Sequence, residues 1–324
     1  MDFLQKLSIK AIQQSDIWKN FQQSIGRECF WVDEILITKI PLPFNYCWFL
    51  VSKPFLTQKN NDSFWQKIID LAKTQRTVYI RFENPSEKIT DFLKNLKFQT
   101  AKKSYLPETT LILDLTQTEE EILKQMKPKG RYNIKLAQKK GLTIENFNYQ
   151  DEKKLKSAIA NFHQILKETA SRDKFFSHDQ DYYLKMLLAL KNHAKLYLAK
   201  YENKYIAGII TTQFQNTVIY YYGASSSQHR AVMAPYLLQW TAIQAAKKNG
   251  FEIYDFLGIA PTSNYHSRES GKKHPLQSVT DFKLKFGGII ISYPESKEYI
   301  FKPFLNKIIQ LLRVFGAIRN QVFR

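Results

Sequence analysis

The sequence has few cysteines, no long apolar run and no apolar segment at its start. Its 324 residues include 2 cysteines, Cys29 and Cys47, and their spacing fits neither a disulfide framework nor a cysteine-based zinc site. No apolar run approaches the roughly 18 residues that a membrane-spanning helix needs. The opening residues, MDFLQKLSIK, lack the apolar region of a signal peptide. We therefore expect a cytoplasmic protein.

Acidic residues are scarce relative to basic ones. The chain has 48 Lys and Arg against 29 Asp and Glu, which gives a formal net charge of +19. Such an excess indicates the partners of a protein rather than its fold. A nucleic acid, an anionic membrane surface or a phosphorylated substrate would each suit it, and a generally lysine-rich proteome is the alternative explanation.

Several catalytic and nucleotide-binding motifs are absent from the sequence. There is no G-x-x-x-x-G-K-[ST], no G-x-G-x-x-G after a predicted strand and no H-E-x-x-H, and the 6 histidines are scattered. No Ser-His-Asp or Cys-His set can be argued from spacing. We therefore expect catalysis by positioning and electrostatics rather than by an activated nucleophile, and no metal site.

The pattern of helices and strands predicts an α+β protein of two domains. In the second half a long helix (DEKKLKSAIANFHQILKETASRD) precedes a three-stranded meander with turns at EN and QN. A helix ending at Gly250 and the strand EIYDFLGI follow. This order is found in N-acetyltransferase-like (GNAT-like) folds. We predict two tandem GNAT-like domains, at 1–116 (completed by 295–324) and 117–294.

The segment TDFKLKFGG, from Thr280 to Gly288, reads as a strand. Alternation would place Phe282 on one face and both Lys283 and Lys285 on the other. Lysines on one strand face fit either an exposed sheet edge or an ammonium directed at an anionic substrate.

Two further segments are basic and are predicted to be helical. In the first, KQMKPKGRYNIKLAQKKG, the residues Arg131, Lys135 and Lys139 are spaced four apart and share a face. They are either a solvated surface or a phosphate-binding stripe. The second, 303–324, is amphipathic, and it would dock on its own domain or contact an anionic membrane. Its predicted apolar face contains Phe304, Ile308, Leu311, Leu312, Phe315 and Ile318.

Four segments together resemble the Fem family of peptidoglycan aminoacyltransferases: KPKGRYNIKLAQKKG, YYYGASSSQHRAVMAPYLLQW, YDFLGI and FKLKFGG. The resemblance extends over nearly the whole chain and implies two GNAT-like domains, in a short form without the inserted helical hairpin of some members. It also implies a reaction, in which an amino group of a peptidoglycan precursor attacks the ester carbonyl of aminoacyl-tRNA and an amide forms.

The resemblance implies roles for individual residues. Phe282 and Lys283 match a Phe-Lys pair that contacts the tRNA terminus, where the lysine would stabilise the oxyanion. Tyr220 and Tyr222 match two tyrosines of the transfer site, and their spacing predicts that they share a strand face. A final group is expected on the substrate side, with Glu83 also a candidate acid or base: Tyr79, Glu83 and Tyr182.

Two positions depart from the family pattern. Short-form members that use soluble UDP-linked precursors clamp the diphosphate with a lysine and an arginine, and here these positions fall near Gln22 and at His178. We therefore predict that a lipid-linked precursor is favoured over a UDP-linked one, although another amine stays possible.

The implied partners are aminoacyl-tRNA as co-substrate and a peptidoglycan precursor, with no cofactor, and we expect a monomer. Two other functions stay open. One is an N-acyltransferase that uses acyl-CoA or an acyl carrier, which the single glycine in the turn GASSSQHRAVMAP disfavours. The other is a non-enzymatic RNA-binding module.

Overall fold

The computed structural model describes residues 10–55, 62–102, 104–261 and 274–314, in two compact units. The first unit contains the described residues up to Glu108 and those from Tyr293 onward. The second unit spans Thr109–Ser292. Helices and strands are numbered along the whole chain.

The first unit surrounds a mostly antiparallel sheet. Its strands are β1 (Cys29–Val32), β2 (Ile35–Pro41), β3 (Cys47–Ser52), β4 (Thr77–Glu83), β5 (Gln99–Thr100) and β13 (Lys297–Ile300). Its helices are α1 (Asp16–Ser24), α2 (Asp62–Thr74), α3 (Glu87–Lys94) and α10 (Pro303–Val314). Among the described residues the strand order is β1-β2-β3-β4-β13-β5, so the late strand β13 lies between β4 and β5.

Local sequence explains the first helix and the sheet core. Ser15 caps α1 by accepting a hydrogen bond from the Trp18 amide, and Gly26 follows the helix with φ +82°. The strands β3 and β4 pair in parallel and are buried almost throughout. β3 is almost continuously apolar, as expected of a strand covered on both faces, whereas β4 also carries the buried Thr77, Arg81 and Glu83.

The second unit also combines one sheet with packed helices. Its strands are β6 (Thr109–Asp114), β7 (Thr143–Phe147), β8 (Ala194–Tyr201), β9 (Lys204–Phe214), β10 (Thr217–Ser225), β11 (Ile253–Gly258) and β12 (Ile289–Ser292). Its helices are α4 (Glu119–Gln125), α5 (Pro128–Lys139), α6 (Glu152–Asp173), α7 (Gln180–Leu190), α8 (Ala234–Lys248) and α9 (Gln277–Lys283). Over the described part of this unit the strand order is β12-β6-β11-β10-β9-β8-β7.

The predicted meander is present in the second unit. Strands β8, β9 and β10 pair antiparallel in succession, and Glu202, Asn203 and Gln215 adopt positive φ at the two turns. The helix α8 and the strand β11 follow as predicted, and β10 and β11 pair in parallel. The prediction of an α+β protein with two GNAT-like domains is confirmed.

The domain boundary predicted at residue 116 differs from the one in the structure. It assigned β6 to the first domain, but β6 pairs with β11 and β12 in the sheet of the second unit. Two glycines with positive φ, Gly287 and Gly288, lead the chain into β12.

The apolar face predicted for the terminal helix was partly wrong. In α10 the residues that pack on the core are Leu305 and Ile309, whereas Phe304 and Leu311 are 76% and 58% exposed. A helix with apolar residues on more than one side has two possible faces to bury, and tertiary packing chooses between them. Phe315 and Ile318 lie outside the described residues.

Candidate active site

Phe282 and Lys283 lie on a helix, so the strand predicted for TDFKLKFGG was wrong. Helix α9 ends at Lys283, and a 3₁₀ turn continues through Leu284–Phe286. Phe282 contacts Phe286 one turn later, with ring centroids 5.5 Å apart. The apolar residues of this short segment fit both a period of two and a helical period, so its pattern could not distinguish the two structures.

Lys283 is a buried cation held at the end of β11. Lys283 is 6% exposed, and its Nζ donates to the carbonyl oxygens of Gly258 (2.7 Å) and Leu257 (3.3 Å). Nζ also lies 5.4 Å from the ring centroid of Tyr220. Burial lowers the pKa of Lys283 to about 8, which the nearby Asp255 carboxylate partly opposes.

Asp255 shapes the backbone that receives Lys283. Its Oδ1 accepts hydrogen bonds from the Leu257 amide (2.7 Å) and from the Thr110 hydroxyl. Leu257 has φ +57°, a left-handed conformation that is uncommon for a branched side chain. We interpret the Asp255 contact as support for this conformation, which directs two successive carbonyls at the ammonium. Sequence reasoning missed Asp255, although an acid inside the apolar strand IYDFLG was a signal.

Tyr220 and Tyr222 do not share a face of β10, contrary to the prediction. Tyr220 pairs with Thr211 and Tyr222 with the adjacent Ile210, so a bulge shifts the register between the two tyrosines. Tyr220 packs against the cluster that contains α8. Its hydroxyl occupies the space beside Gly223, where an added Cβ would lie 1.8 Å from it. Burial raises the pKa of Tyr220 to about 12.

Tyr222 joins a second group of aromatic residues with Tyr182 and His178. The hydroxyl oxygens of Tyr222 and Tyr182 are 3.3 Å apart. The His178 ring stacks on Tyr182, with centroids 3.6 Å apart and planes at 7°. The hydroxyl of Tyr183, which sequence reasoning missed, accepts a hydrogen bond from the His178 amide. Burial and the neighbouring phenols raise the pKa of Tyr222 well above its usual value.

Glu83 lies in the first unit and is fully buried. Its Oε2 accepts hydrogen bonds from the amides of Tyr105 (2.9 Å) and Leu106 (3.1 Å) and from the Ser296 hydroxyl (3.1 Å). Its Oε1 lies 3.7 Å from Nη1 of Arg81. Burial raises the pKa of Glu83, which those contacts oppose. These hydrogen bonds attach the loop that contains Tyr105 and Leu106, and the segment before β13, to β4. They favour a structural role for Glu83 over the predicted catalytic one.

Tyr79, also in the first unit, is occupied by internal contacts. Its ring stacks on Trp48 with centroids 5.0 Å apart, and its hydroxyl accepts a hydrogen bond from Arg313 of α10 (3.1 Å). Burial raises the pKa of Tyr79. These contacts hold α10 on the first unit, and the predicted substrate contact of Tyr79 stays a prediction.

The basic stripe predicted on α5 divides into two kinds of residue. Lys135 and Lys139 are exposed. Arg131 is half-buried, and its Nη1 donates to the carbonyl of Met126 and to that of Leu123 (3.3 Å) at the end of α4. Arg131 therefore has a structural task that the two lysines lack.

A small cavity of ≈ 110 Å³ lies beside Phe282 at the start of α8. Its lining includes Tyr236, Met233, His229 and Arg230 from the β10–α8 segment. Enclosed sites for cofactors usually have several hundred Å³. Among the described residues no group of His, Cys, Asp and Glu could hold a metal ion, and no helix there is long and apolar enough to cross a membrane.

Comparison of the sequence with known proteins shows the family of this chain. A model described as "FemAB family" matches residues 45–205 and 200–313. The "Lipid II:glycine glycyltransferase" of Staphylococcus haemolyticus (strain JCSC1435) is 23% identical, over 83% of this chain and 82% of the relative. The protein of the same name from Staphylococcus aureus (strain COL) is also 23% identical, over 79% of this chain and 80% of the relative.

Two solved structures have a similar fold. The crystal structure of FemX has a TM-score of 0.72 at 18% identity and covers 92% of this chain and 94% of its own. The C-terminal domain of a putative lysylphosphatidylglycerol synthetase from Agrobacterium fabrum has a TM-score of 0.64 at 12% identity, with 95% and 96% covered. At such identities the similarity shows the fold alone.

The fold is of the acyltransferase type, and the candidate site contains a buried lysine and tyrosine hydroxyls, so the class is that of acyltransferase-like proteins. The sequence match then gives the family. The chain belongs to the FemAB family. Because its relatives in that family are named as glycyltransferases, the chain is an aminoacyltransferase.

Proposed function

We propose that this protein transfers an amino acid from aminoacyl-tRNA to an amino group in the stem peptide of a lipid-linked peptidoglycan precursor. The coarser part, aminoacyl transfer in peptidoglycan bridge formation, is supported by relatives named for transfer of glycine on lipid II. The tRNA donor and the lipid-linked form of the acceptor are the finer parts of the proposal.

The observation that carries the proposed chemistry is the arrangement of Lys283. An ammonium has three N–H donors, and two of them point at the Gly258 and Leu257 carbonyls. The third is left for the ester oxygen. When the neutral acceptor amine attacks the ester carbon, the C=O π electrons move to that oxygen, and the ammonium stabilises the resulting negative charge. The C–O bond to the tRNA ribose then breaks, and the ribose oxygen takes the proton that the amine releases.

The charge distribution supports tRNA as the donor. The net charge of +19 favours a polyanionic partner, and Lys135 and Lys139 are exposed cations on one face of α5. The single glycine in the turn GASSSQHRAVMAP argues against acyl-CoA as the donor.

The two departures from the family pattern support a lipid-linked acceptor. The His178 ring is 8% exposed and stacked on Tyr182, so it does not offer the extended guanidinium of a diphosphate clamp. Gln22 is 3% exposed, and its Oε1 accepts a hydrogen bond from Arg27 (2.9 Å). Neither side chain offers an exposed cation to a UDP-linked substrate.

The test is a transfer assay with radiolabelled aminoacyl-tRNA and three acceptor conditions. We expect labelled product with a lipid-linked precursor in detergent, less product with the UDP-linked precursor, and none without precursor. Equal or faster transfer to the UDP-linked form would refute the acceptor preference. Transfer from acyl-CoA but not from aminoacyl-tRNA would replace the donor, and tRNA binding without transfer to any acceptor would overturn the enzymatic proposal.

A further inference from the structure

The helix α10 presents a row of apolar side chains to solvent. Phe304 is 76% exposed, Leu311 58% and Ile308 36%, and their spacing of four and three residues places them on one helical face. The inner side of the same helix is already packed through Leu305 and Ile309. Within the described residues, nothing covers the outer row.

A second exposed aromatic residue lies at the tip of the β2–β3 hairpin. Phe44 is 80% exposed and has φ +60°, and Asn45 after it has φ +58°. A bulky residue in the left-handed region is uncommon in proteins, and an exposed phenyl ring adds nothing to the core. The hairpin therefore presents this ring outward at some cost to the fold, which indicates a function for it.

The hairpin and α10 pack on the same apolar cluster of the first unit. Leu42 and Tyr46, on either side of the hairpin tip, pack in the same apolar cluster as Leu305 and Ile309 of α10. The exposed residues of both elements together form what we call the apolar rim: Phe44, Phe304, Ile308 and Leu311. Clustered large apolar side chains at a surface mark an interaction site.

Basic residues near the apolar rim indicate which kind of partner it binds. Residues 302–313 contain three basic residues and no acidic one; Arg313 donates to Tyr79, which leaves Lys302 and Lys307 as the cations near the outer row. Lys307 is exposed on α10 itself. Apolar side chains with flanking cations match a bilayer surface that carries anionic headgroups. A contact with RNA phosphates would need the cations but not four exposed apolar side chains.

We propose that the apolar rim is a docking surface for an anionic lipid bilayer. Phe44 and the outer row of α10 would enter the interface between headgroups and acyl chains, while Lys307 would contact the headgroups. The inference deepens the proposed function, because a lipid-linked acceptor is reached at such a surface. It is nevertheless tested by vesicle binding, without precursor, and can therefore fail or hold independently of the transfer reaction.

The experiment compares sedimentation of the full chain with vesicles of phosphatidylcholine alone and of phosphatidylcholine mixed with phosphatidylglycerol. We expect binding to the mixed vesicles that weakens with salt. The triple variant Phe304→Gln, Ile308→Gln, Leu311→Gln should bind at least about 10-fold more weakly, because apolar burial is lost. Lys307→Gln should bind about 5-fold more weakly.

Matched controls come from exposed residues elsewhere. Ile289→Gln on β12, where Ile289 is 46% exposed, and Lys153→Gln on α6 should bind vesicles like the unaltered protein. Because all altered side chains are exposed, the thermal unfolding midpoint should not change, and transfer to a detergent-solubilised precursor should persist in the triple variant.

Three results would overturn the inference. The first is vesicle binding by the triple variant equal to that of the Ile289→Gln control. The second is loss of tRNA affinity with vesicle binding intact, which would assign the rim to RNA. The third is loss of self-association in ultracentrifugation with vesicle binding intact, which would assign it to a second copy of the chain.

Discussion

At the scale of single residues, Lys283 is the centre of the proposed chemistry. Replacing it with Met should lower the single-turnover transfer rate by about 100- to 1000-fold, the usual loss when one oxyanion donor is removed. Lys285→Met is the matched control. The two lysines are two positions apart along a helical turn, so they point in different directions, and Nζ of Lys285 donates to the Asp281 carbonyl (3.0 Å) on the exposed side. Equal losses in both variants would refute the role of Lys283.

The pH dependence of transfer gives a second readout of the same lysine. Burial lowers the pKa of Lys283 to about 8, so its ammonium is lost at a lower pH than that of an ordinary lysine. Because the neutral acceptor amine becomes more abundant as pH rises, the rates are compared with those of Lys283→Met, which uses the same acceptor. The ratio of the rate of the unaltered protein, or of Lys285→Met, to the rate of Lys283→Met should fall as pH rises through about 8, and a constant ratio would assign the pH dependence to another group.

At the scale of elements, the two kinds of basic residue on α5 should behave differently. The double variant Lys135→Gln, Lys139→Gln should weaken tRNA binding and reduce the slope of log affinity against log salt by about 0.7–0.9 for each phosphate that is no longer neutralised. Filter binding at several salt concentrations measures both. An unchanged affinity and slope would exclude these lysines as tRNA contacts.

The variant Arg131→Gln, on the same helix as Lys135 and Lys139, tests a role in stability instead of tRNA binding. It removes the donor to the carbonyls of Met126 and Leu123, so it should lower the free energy of unfolding by about 1–3 kcal/mol. The lysine double variant should not change stability, because those side chains are exposed. The three positions share a face in the sequence pattern, but the pattern could not show that one of them closes the end of α4.

The element order could be read from the sequence, because caps, turns and apolar periods are local signals. Ser15 at the start of α1 and Gly250 after α8 have the geometry that their residue types predict. For β10 and α10 the sequence did not show which side chains share a face or which face is buried. The bulge that separates Tyr220 from Tyr222 depends on pairing with β9, which is a tertiary contact.

The residues proposed for the candidate site came from the family resemblance, and their geometry could not be read from the sequence. The resemblance identified Lys283, whereas the sequence period assigned it to a strand. Its partners are backbone carbonyls of β11, and backbone groups leave no trace in residue types. Asp255 stood out as an acid inside an apolar strand, but its contact with the Leu257 amide could not be read from residue types.

At the scale of the whole molecule, a buried ion pair attaches the late strand β13 to the first unit. Arg81 donates twice to Oε2 of Glu298, at 2.8 Å through Nη2 and 3.2 Å through Nε, and both side chains are nearly inaccessible. Glu298→Gln should lower the free energy of unfolding by about 1–3 kcal/mol, because Arg81 loses charge-assisted hydrogen bonds while the buried Glu83 carboxylate, 3.7 Å from Nη1, remains as its counter-charge.

Urea unfolding with Glu295→Gln as the control tests this expectation. Glu295 lies three residues earlier and pairs with Lys297 at the surface, where its side chain is 63% exposed, so its loss should change stability little. A similar small change in both variants would show that the buried pair contributes no more than an exposed one.

The position of β13 between β4 and β5 also has a consequence for biosynthesis. Its partners in β4 and β5 leave the ribosome long before Lys297 does, and the residues of the entire second unit are translated in between. At about 5–20 residues per second, the gap between Thr100 and Lys297 lasts roughly 10–40 s. During that interval β4 has an open edge in the nascent chain, while all strands of the second unit become available for pairing. The second unit can therefore fold co-translationally before the first unit is complete, and the amino-terminal third, up to Glu108, is the part most exposed to chaperones during synthesis.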